Sequence, residues 1–428
     1  MARMTGAARE GRSAQGDGAP HALDILVVAP RYPLASETFV RAHAAALARL
    51  GHRVEVLALA EGDGTYTDAE RAEELPARTR LAAIDAPRWR RMAALPLRLA
   101  RTALRAPRLA ARLASPAFGW RATSGQLAAI AAAIGAPRRF DAIDCQFGPA
   151  GRVMQLARRA GIVDGALTVA FYGHDVTREL AAGDASLYRG VFDDASLLLP
   201  NSDFLGTRLL AAGAPRGRVE TLRLGIDLRG FPPVDRRSRS GHEGPARALA
   251  VGRFVEKKGF AHLLRAMALA GDRTACTLRL VGDGPLRGEL ESLARSLGLG
   301  ARVSFAGWRS SAEVAREMAE ADLLVAPSVT AADGDMEGLP VVIVEAMATG
   351  LPVVGTRHSG IPEIVEDGVT GRLVDERDER ALAEALVEFD DPARRGAAAA
   401  AARARVEAEF DAEALARRYA ALVAGRRA

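Results

Sequence analysis

The sequence predicts an α/β protein of two doubly wound, Rossmann-like domains that face each other across a cleft. Three observations lead there. Short apolar runs alternate with helical patterns, as βαβ units and parallel sheets require. The alternation stops at the polar, aperiodic stretch VDRRSRSGHEGP (residues 234–245) and then restarts. The chain has 428 residues, long for a single core.

The elements follow in order. MARMTGAAREGRSAQGDGAP lacks an apolar run of signal-peptide length and reads as a disordered tail, taken as residues 1–22. DILVVAP (24–30) is a buried strand, ETFVRAHAAALARLG (37–51) a helix and HRVEVLALA (52–60) a second strand. DAIDCQFG (141–148), LTVAFYG (167–173) and SLLLPN (196–201) are further strands, and SDFLGTRLLAAG (202–213) is a helix. Together they make a domain over 23–228, followed by a linker at 229–246. The second domain, 247–405, has strands RALAVG (247–252), CTLRLVG (276–282), RVSFAG (302–307), DLLVAPS (322–328) and PVVGTR (352–357). Its helices are GFAHLLRAMALAG, PLRGELESLARSLGLG, SAEVAREMAEA and the run after Leu339. Residues 406–428 read as a C-terminal helix that returns to the first domain. Ligands of open α/β sheets bind at the carboxyl ends of the strands, which places the site in the cleft.

Composition narrows the class. Basic residues number 58 against 53 acidic, a net charge of +5, which favours anionic partners without choosing among phosphate, acidic lipid and nucleic acid. Cys145 and Cys276 stand in apolar strand runs and read as buried thiols of a reducing compartment. No stretch of about 18 uncharged apolar residues is present, so no spanning helix is expected. One insertion, RWRRMAALPLRLARTALRAPRLAARLA (88–114), has eight arginines and no acid, with leucines at helical spacing and Trp89. It reads as a basic amphipathic helix on an anionic membrane, or as a solvated helix of an arginine-rich chain.

The chemistry gathers at strand ends of the second domain. In GRFVEKKGF (252–260) stand both lysines of the chain, against 56 arginines. Gly252 ends a strand, and Arg253 and Lys258 sit on the loop and first turn before a helix, where an anion is favoured. Lys257 has no task in this reading. Gly282-Asp283-Gly284-Pro285 repeats the arrangement, with Gly284 free to approach a ligand, or it is ordinary turn chemistry. It is not a dinucleotide fingerprint, because Arg287 stands where the third glycine belongs, which disfavours a nicotinamide-dependent dehydrogenase. In EGLPVVIVE (337–345), Glu337 lies in a loop and Pro340 in the first turn of a helix. The free N–H groups near Gly338–Val341, a stretch that includes Leu339 and Pro340, point at the same anion. Glu345 falls within an apolar helical run, where a carboxylate needs a ligand or a partner. His174, in FYGHD, follows a strand end and precedes Asp175. Asp333 and Asp335 form a D-x-D in a turn, and no metal role is expected for them, since the cations nearby already meet an anion.

These motifs, in this order, resemble the family-4 retaining glycosyltransferases of the GT-B fold. Their E-x7-E pair matches Glu337 and Glu345, and their phosphate clamp matches Arg253, Lys258 and Gly259. The likeness spans roughly residues 23–425. YPLASETFV (32–40), VEKKGF (255–260), SVTAADGDMEGLPV (328–341) and TRHSGIPEIVEDGVTGRLV (356–374) are similar to enzymes of the colanic acid and amylovoran type. The resemblance implies transfer of a hexosyl group from a nucleotide-diphosphate sugar to an acceptor hydroxyl, with retained configuration and no metal or other cofactor. It implies that the first domain takes the acceptor, that Arg253 and Lys258 bind the donor diphosphate, that Glu345 holds the ribose and that Glu337 contacts sugar hydroxyls. His174 would face the sugar-phosphate, and the departing phosphate would help to deprotonate the acceptor by front-face displacement.

The chain departs from the pattern after its first strand. Many relatives carry Gly-Gly there, and this chain reads Pro30-Arg31-Tyr32-Pro33 and then Ser36-Glu37-Thr38. Glu37 and Thr38 either face the acceptor or cap the first helix, and Asp175 is placed on the acceptor side. The acceptor implied is a glycan, polyprenyl-diphosphate-linked at the cytoplasmic face of the membrane, with no nucleic-acid partner. Two alternatives stay open: a nucleotide-sugar epimerase of the same fold, and a non-enzymatic membrane-surface protein resting on residues 88–114.

Overall fold

The structure, a computed structural model, describes residues 22–115, 124–177, 185–234 and 246–426. The tail expected over 1–22 falls, save for residue 22, outside the described residues, as does most of the linker.

Among the described residues, twelve strands form two six-stranded sheets, all pairs parallel. The first holds β1 (Asp24–Tyr32), β2 (Arg53–Glu61), β3 (Thr79–Leu81), β4 (Arg138–Gln146), β5 (Val163–Phe171) and β6 (Leu197–Pro200). Its order is β3-β2-β1-β4-β5-β6. The second holds β7 (Arg247–Val251), β8 (Thr277–Val281), β9 (Val303–Gly307), β10 (Leu323–Ala326), β11 (Val353–Thr356) and β12 (Gly371–Val374), in the order β12-β11-β10-β7-β8-β9. Both orders reverse beside their first strand, and each reversal opens a crevice at the carboxyl ends. Central strands are covered on both faces, which is why Ile25 to Ala29 form an unbroken, fully buried run.

The helices that position the site are α1 (Thr38–Arg49), α2 (Arg88–Arg105), α3 (Pro107–Ala114), α4 (Gly148–Ala160), α5 (Gly173–Thr177), α6 (Asp203–Ala211), α7 (Phe260–Ala270), α8 (Val341–Ala348), α9 (Ile361–Ile364), α10 (Pro392–Glu409) and α11 (Ala412–Ala424). One apolar cluster runs from the β1 face of the first sheet through α11 to α8 and α10 of the second domain. Two further clusters cover the outer faces of the two sheets.

Several expectations change in detail. The edge strands β3 and β12 were not anticipated. The basic segment is two helices, α2 and α3, broken at Ala106, where Pro107 starts the second. The C-terminal boundary lies past 405: α10 runs to Glu409, and the chain crosses at Phe410. There Ile226 N–H donates to Phe410 O (3.0 Å) and Ala412 N–H to Ile226 O (3.1 Å). Helix α11 then packs on α1, with Tyr419 fully buried and its hydroxyl 2.9 Å from Thr168 Oγ1. Cys145 and Cys276 are buried free thiols, and burial pushes the Cys276 thiol up to about 12. Among the described residues no helix is long and apolar enough to cross a membrane.

Candidate active site

The floor of the second domain's crevice is built from three neighbouring strand ends. Gly252 N–H donates to Val281 O, Gly282 N–H to Gly307 O and Phe254 N–H to Asp283 O, each at 2.9 Å. These bonds tie the turns after β7, β8 and β9 into one shelf. Gly284 lies on it with its N–H on Asp283 Oδ1 (2.8 Å). Arg253 is exposed on this shelf and has no ion pair among the described residues.

Lys258 sits not in α7 but in the short turn Glu256–Lys258 before it. Gly259 follows at φ +67°, and a Cβ there would stand 1.8 Å from Pro327 O. Glycine thus lets the Lys-Lys turn press against the end of β10. From that position Lys258 Nζ reaches Glu337 Oε2 at 3.2 Å. Its stem crosses Gly252, where an added Cβ would come within 2.9 Å of Lys258 Cε.

Lys257, assigned no task from the sequence, is bound into the site. Its Nζ lies 3.2 Å from Asp335 Oδ1 and 3.8 Å from Glu337 Oε1, and it donates to Met336 O at 3.3 Å. Asp335 is thereby an ion-pair partner, while Asp333 Oδ1 accepts the Asp335 N–H at 3.0 Å to close the turn. Sequence spacing could not show the Lys257–Asp335 pair, because 78 positions separate its members.

Glu337 is buried. Burial alone would raise its carboxyl, but the ammonium groups of Lys258 and Lys257 hold it below the usual range. Its Oε1 makes no hydrogen bond among the described residues. The loop is braced from behind by His358 and Ser359, which sequence reasoning did not single out. Glu337 N–H donates to His358 Nε2 (3.0 Å), and His358 Nδ1 lies 2.6 Å from Glu376 Oε1. A backbone N–H can only donate, so Nε2 must be bare and Nδ1 carries the proton toward Glu376. Ser359 Oγ donates to Glu337 O (2.7 Å) and Gly338 O (3.1 Å). A histidine directly after a strand end, in TRHSG, was the available signal.

Pro340 is the N-cap of α8 rather than a residue of its first turn, and Leu339 is buried beneath it. Gly338 and Gly173 meet across the domains: a Cβ on Gly338 would lie 2.6 Å from Gly173 N, and one on Gly173 2.5 Å from Gly338 N. Neither loop can carry a side chain at that crossing. His174 follows in α5, on the same side of the cleft; its side chain lies outside the described part of the structure. Asp175, placed on the acceptor side from the sequence, is buried, and its two oxygens accept the N–H groups of Gly148 (2.9 Å) and Tyr172 (3.0 Å). It holds the turns after β4 and β5 in place.

Glu345, buried on α8, accepts a hydrogen bond from Thr38 Oγ1 of the opposite domain at 3.1 Å. Burial pushes its carboxyl up to about 7, against the smaller, opposing effect of that bond. Glu37, at the N-cap of α1, makes no side-chain capping bond, so the cap role expected as one option is not taken. Burial pushes its carboxyl to about 7 as well. The structure therefore brings Arg253, Lys258, Glu337, Glu345, Thr38 and Gly338 to one interdomain site. There, cations and the N-terminus of α8 can receive a diphosphate.

Comparison with known proteins shows the fold and the family. Residues 245–389 match the family model described as glycosyl transferases group 1. A protein described as a colanic acid biosynthesis glycosyltransferase of Escherichia coli (strain K12) is 36% identical over 400 residues, covering 92% of this chain and 97% of that one. An amylovoran biosynthesis glycosyltransferase of Erwinia amylovora is 32% identical over 397 residues, covering 89% and 94%. The crystal structure of Anabaena HepE in complex with UDP and glucose superposes with a TM-score of 0.70 at 21% identity, covering 94% of this chain and all of that one. Sucrose-phosphate synthase from Thermosynechococcus elongatus gives 0.66 at 22% identity, covering 94% and 98%. The two facing parallel sheets are thus the GT-B fold, and near full-length identity above 30% places this chain in the group 1 glycosyl transferases.

Proposed function

We propose that this glycosyltransferase moves a hexosyl group, with retention, from a nucleotide-diphosphate sugar to a hydroxyl of a growing lipid-linked glycan in exopolysaccharide biosynthesis. The observation that carries this is the pairing of Lys258 with Glu337 beside the α8 N-terminus, with Arg253 exposed on the adjoining shelf. Cations at that place meet the charge that develops on a departing diphosphate. They do so without a divalent ion, and Asp335 is committed to Lys257. Glu345 suits a ribose hydroxyl, and Glu337, with Oε1 unbonded, suits hydroxyls of the transferred sugar. His174 is assigned to the sugar-phosphate side by resemblance alone. The UDP and glucose held by HepE and the colanic acid and amylovoran relatives support a sugar-nucleotide donor and a polysaccharide product.

The exposed basic helices α2 and α3 complete the reading with a peripheral place on the cytoplasmic face of an anionic membrane. Trp89, Leu97 and Leu104 are 67%, 56% and 87% exposed, and their spacing puts them on one face of α2 between arginines.

The test is a screen of UDP- and GDP-linked sugars for release of nucleoside diphosphate, with and without lipid extract as acceptor source. Wild type should turn over one donor, and Glu337→Gln and Glu345→Gln should lose that turnover. Full activity in both variants would refute the site. A product that remains a nucleotide sugar would favour the epimerase.

A further inference from the structure

His358, fully buried just past β11, is an ionisable group that the transfer reaction leaves unassigned. It opens a turn that grips the Glu337 loop from behind. Glu337 N–H donates to His358 Nε2 at 3.0 Å. Ser359 Oγ donates to Glu337 O and Gly338 O, and Gly360 N–H donates to Gly338 O at 3.2 Å. Ser359 stands at φ +49°, a left-handed conformation that a residue with a side chain adopts at a cost. The strain is held by the two bonds its hydroxyl makes.

Behind His358 stands Glu376, just past β12. Its Oε1 lies 2.6 Å from His358 Nδ1 and accepts from Thr330 Oγ1 at 3.2 Å. Its Oε2 accepts the Thr330 N–H at 2.8 Å. Arg377 adds a bond to Thr330 O. Thr330 lies at the start of the loop after β10 and Glu337 near its end, and the same loop carries Asp335, the partner of Lys257. One carboxylate thus holds both ends of the loop, the first directly and the second through the imidazole. Burial would raise the Glu376 carboxyl, but the bonds from Thr330 and His358 hold it below the usual range, so it remains an acceptor.

We infer that Glu376 and His358 are positioning residues that set Glu337 for the sugar of the donor. This rests on the transferase reading above, in which Glu337 meets sugar hydroxyls and the cations meet the diphosphate. The direction of the bonds gives the reason. The Glu337 N–H needs a bare Nε2, so the ring must keep its proton on Nδ1, toward Glu376. A carboxylate accepts at both oxygens and so serves His358 and Thr330 together. An amide in its place has one oxygen and one NH2. With the oxygen toward His358, the NH2 faces the Thr330 N–H. With the NH2 toward His358, the ring must move its proton to Nε2, against the Glu337 N–H. Either arrangement releases one end of the loop.

The experiment uses the full chain, the donor that wild type turns over in the screen above and the matching nucleoside diphosphate. Calorimetric titration gives a Kd for each. Glu376→Gln, nearly isosteric, should weaken donor binding about tenfold and leave the Kd for the nucleoside diphosphate within about threefold, since the misplaced contact is to the sugar. His358→Ala should do the same. His358→Gln, whose amide can accept from Glu337 and donate to Glu376, should keep the donor Kd within about threefold of wild type. A role in general stability would instead lower the melting temperature and weaken both ligands alike. Unchanged donor binding in Glu376→Gln would overturn the proposal, and so would equal weakening of donor and nucleoside diphosphate. If Glu376→Gln does not fold, the His358 pair decides: equal donor affinity in His358→Ala and His358→Gln would overturn it. A wild type that releases no nucleoside diphosphate from any donor would instead count against the transferase reading itself.

Discussion

At the scale of residues, the two lysines divide one task. Lys258 reaches Glu337 through a gap floored by Gly252, and Lys257 holds Asp335 and the far oxygen of Glu337. A guanidinium is wider than an ammonium and brings a planar fork where the packing leaves room for a point charge. Lys258→Arg should therefore cut turnover by about tenfold or more, near 1.4 kcal/mol, and wild-type rates in that variant would show that size is irrelevant there. Lys257→Ala leaves Asp335 and Glu337 without their shared cation. Donor affinity should fall by about tenfold, measured by calorimetric titration with the nucleoside diphosphate.

Glu345 supplies a second residue-scale prediction, with a definite sign. Its carboxyl titrates at about 7 in the fold and near 4.3 when unfolded, so between those values the native state binds the extra proton. Its contribution to stability is present in full below the unfolded value and is lost as pH rises through about 7. Glu345→Gln never ionises. The stability gap between that variant and wild type should widen in the variant's favour from about pH 4.5 through 7 and flatten about one unit above, by at most about 4 kcal/mol. A pH-independent gap in urea unfolding would contradict the burial argument.

At the scale of elements, strands that carry an apolar run were legible, even at four residues as in β6, β10 and β11, and strands without one were not. The runs 24–30, 52–60 and 247–252 each lie on an observed strand because both faces of a central strand are covered, which demands a continuous apolar run. Edge strands β3 (TRL) and β12 (GRLV) each carry an arginine and no apolar run. Helix α2 tolerates Pro96 within it, and Arg91, counted from sequence among the one-sided charges, is buried. Arg91 Nε donates to Ser124 O at 3.0 Å and Nη1 to Ile84 O at 2.8 Å, so it anchors the helix to the domain. The outward arginines stay available to lipid, each worth about 1 kcal/mol near an anionic surface. The chain should float with phosphatidylserine-containing liposomes, and a Trp89→Ser, Leu97→Ser, Leu104→Ser variant should stay behind with unaltered donor turnover on soluble acceptors. Equal flotation of both would remove the membrane role.

At the scale of the whole molecule, the domains are joined by small polar contacts at the cleft and by one large apolar element behind it. Glu363 of α9 accepts the N–H groups of Asp203 and Phe204 at the start of α6, both at 2.9 Å, and so caps a helix of the other domain. Thr38–Glu345 and the Gly173–Gly338 crossing lie nearby. Contacts of this size can break and reform as a substrate enters. Helix α11 is different, because it buries Tyr419, Ala416 and Val423 against the first domain. Tyr419→Ala should cost about 3–5 kcal/mol and lower the thermal midpoint, and a loss under 1 kcal/mol would show α11 to be only loosely docked.

The sequence by itself determined the two parallel sheets and singled out Lys258, Glu337 and Glu345, which the structure brings to the interdomain cleft. Periodicity, glycines at strand ends and fixed motif spacing are local properties, readable along the chain. The tertiary structure alone decided that Lys257 pairs with Asp335, that Thr38 meets Glu345 across 307 positions, that His358 braces Glu337 and that Asp175 serves the fold. Those facts depend on which side chains packing brings within about 3 Å, and no local pattern encodes a distance between residues so far apart.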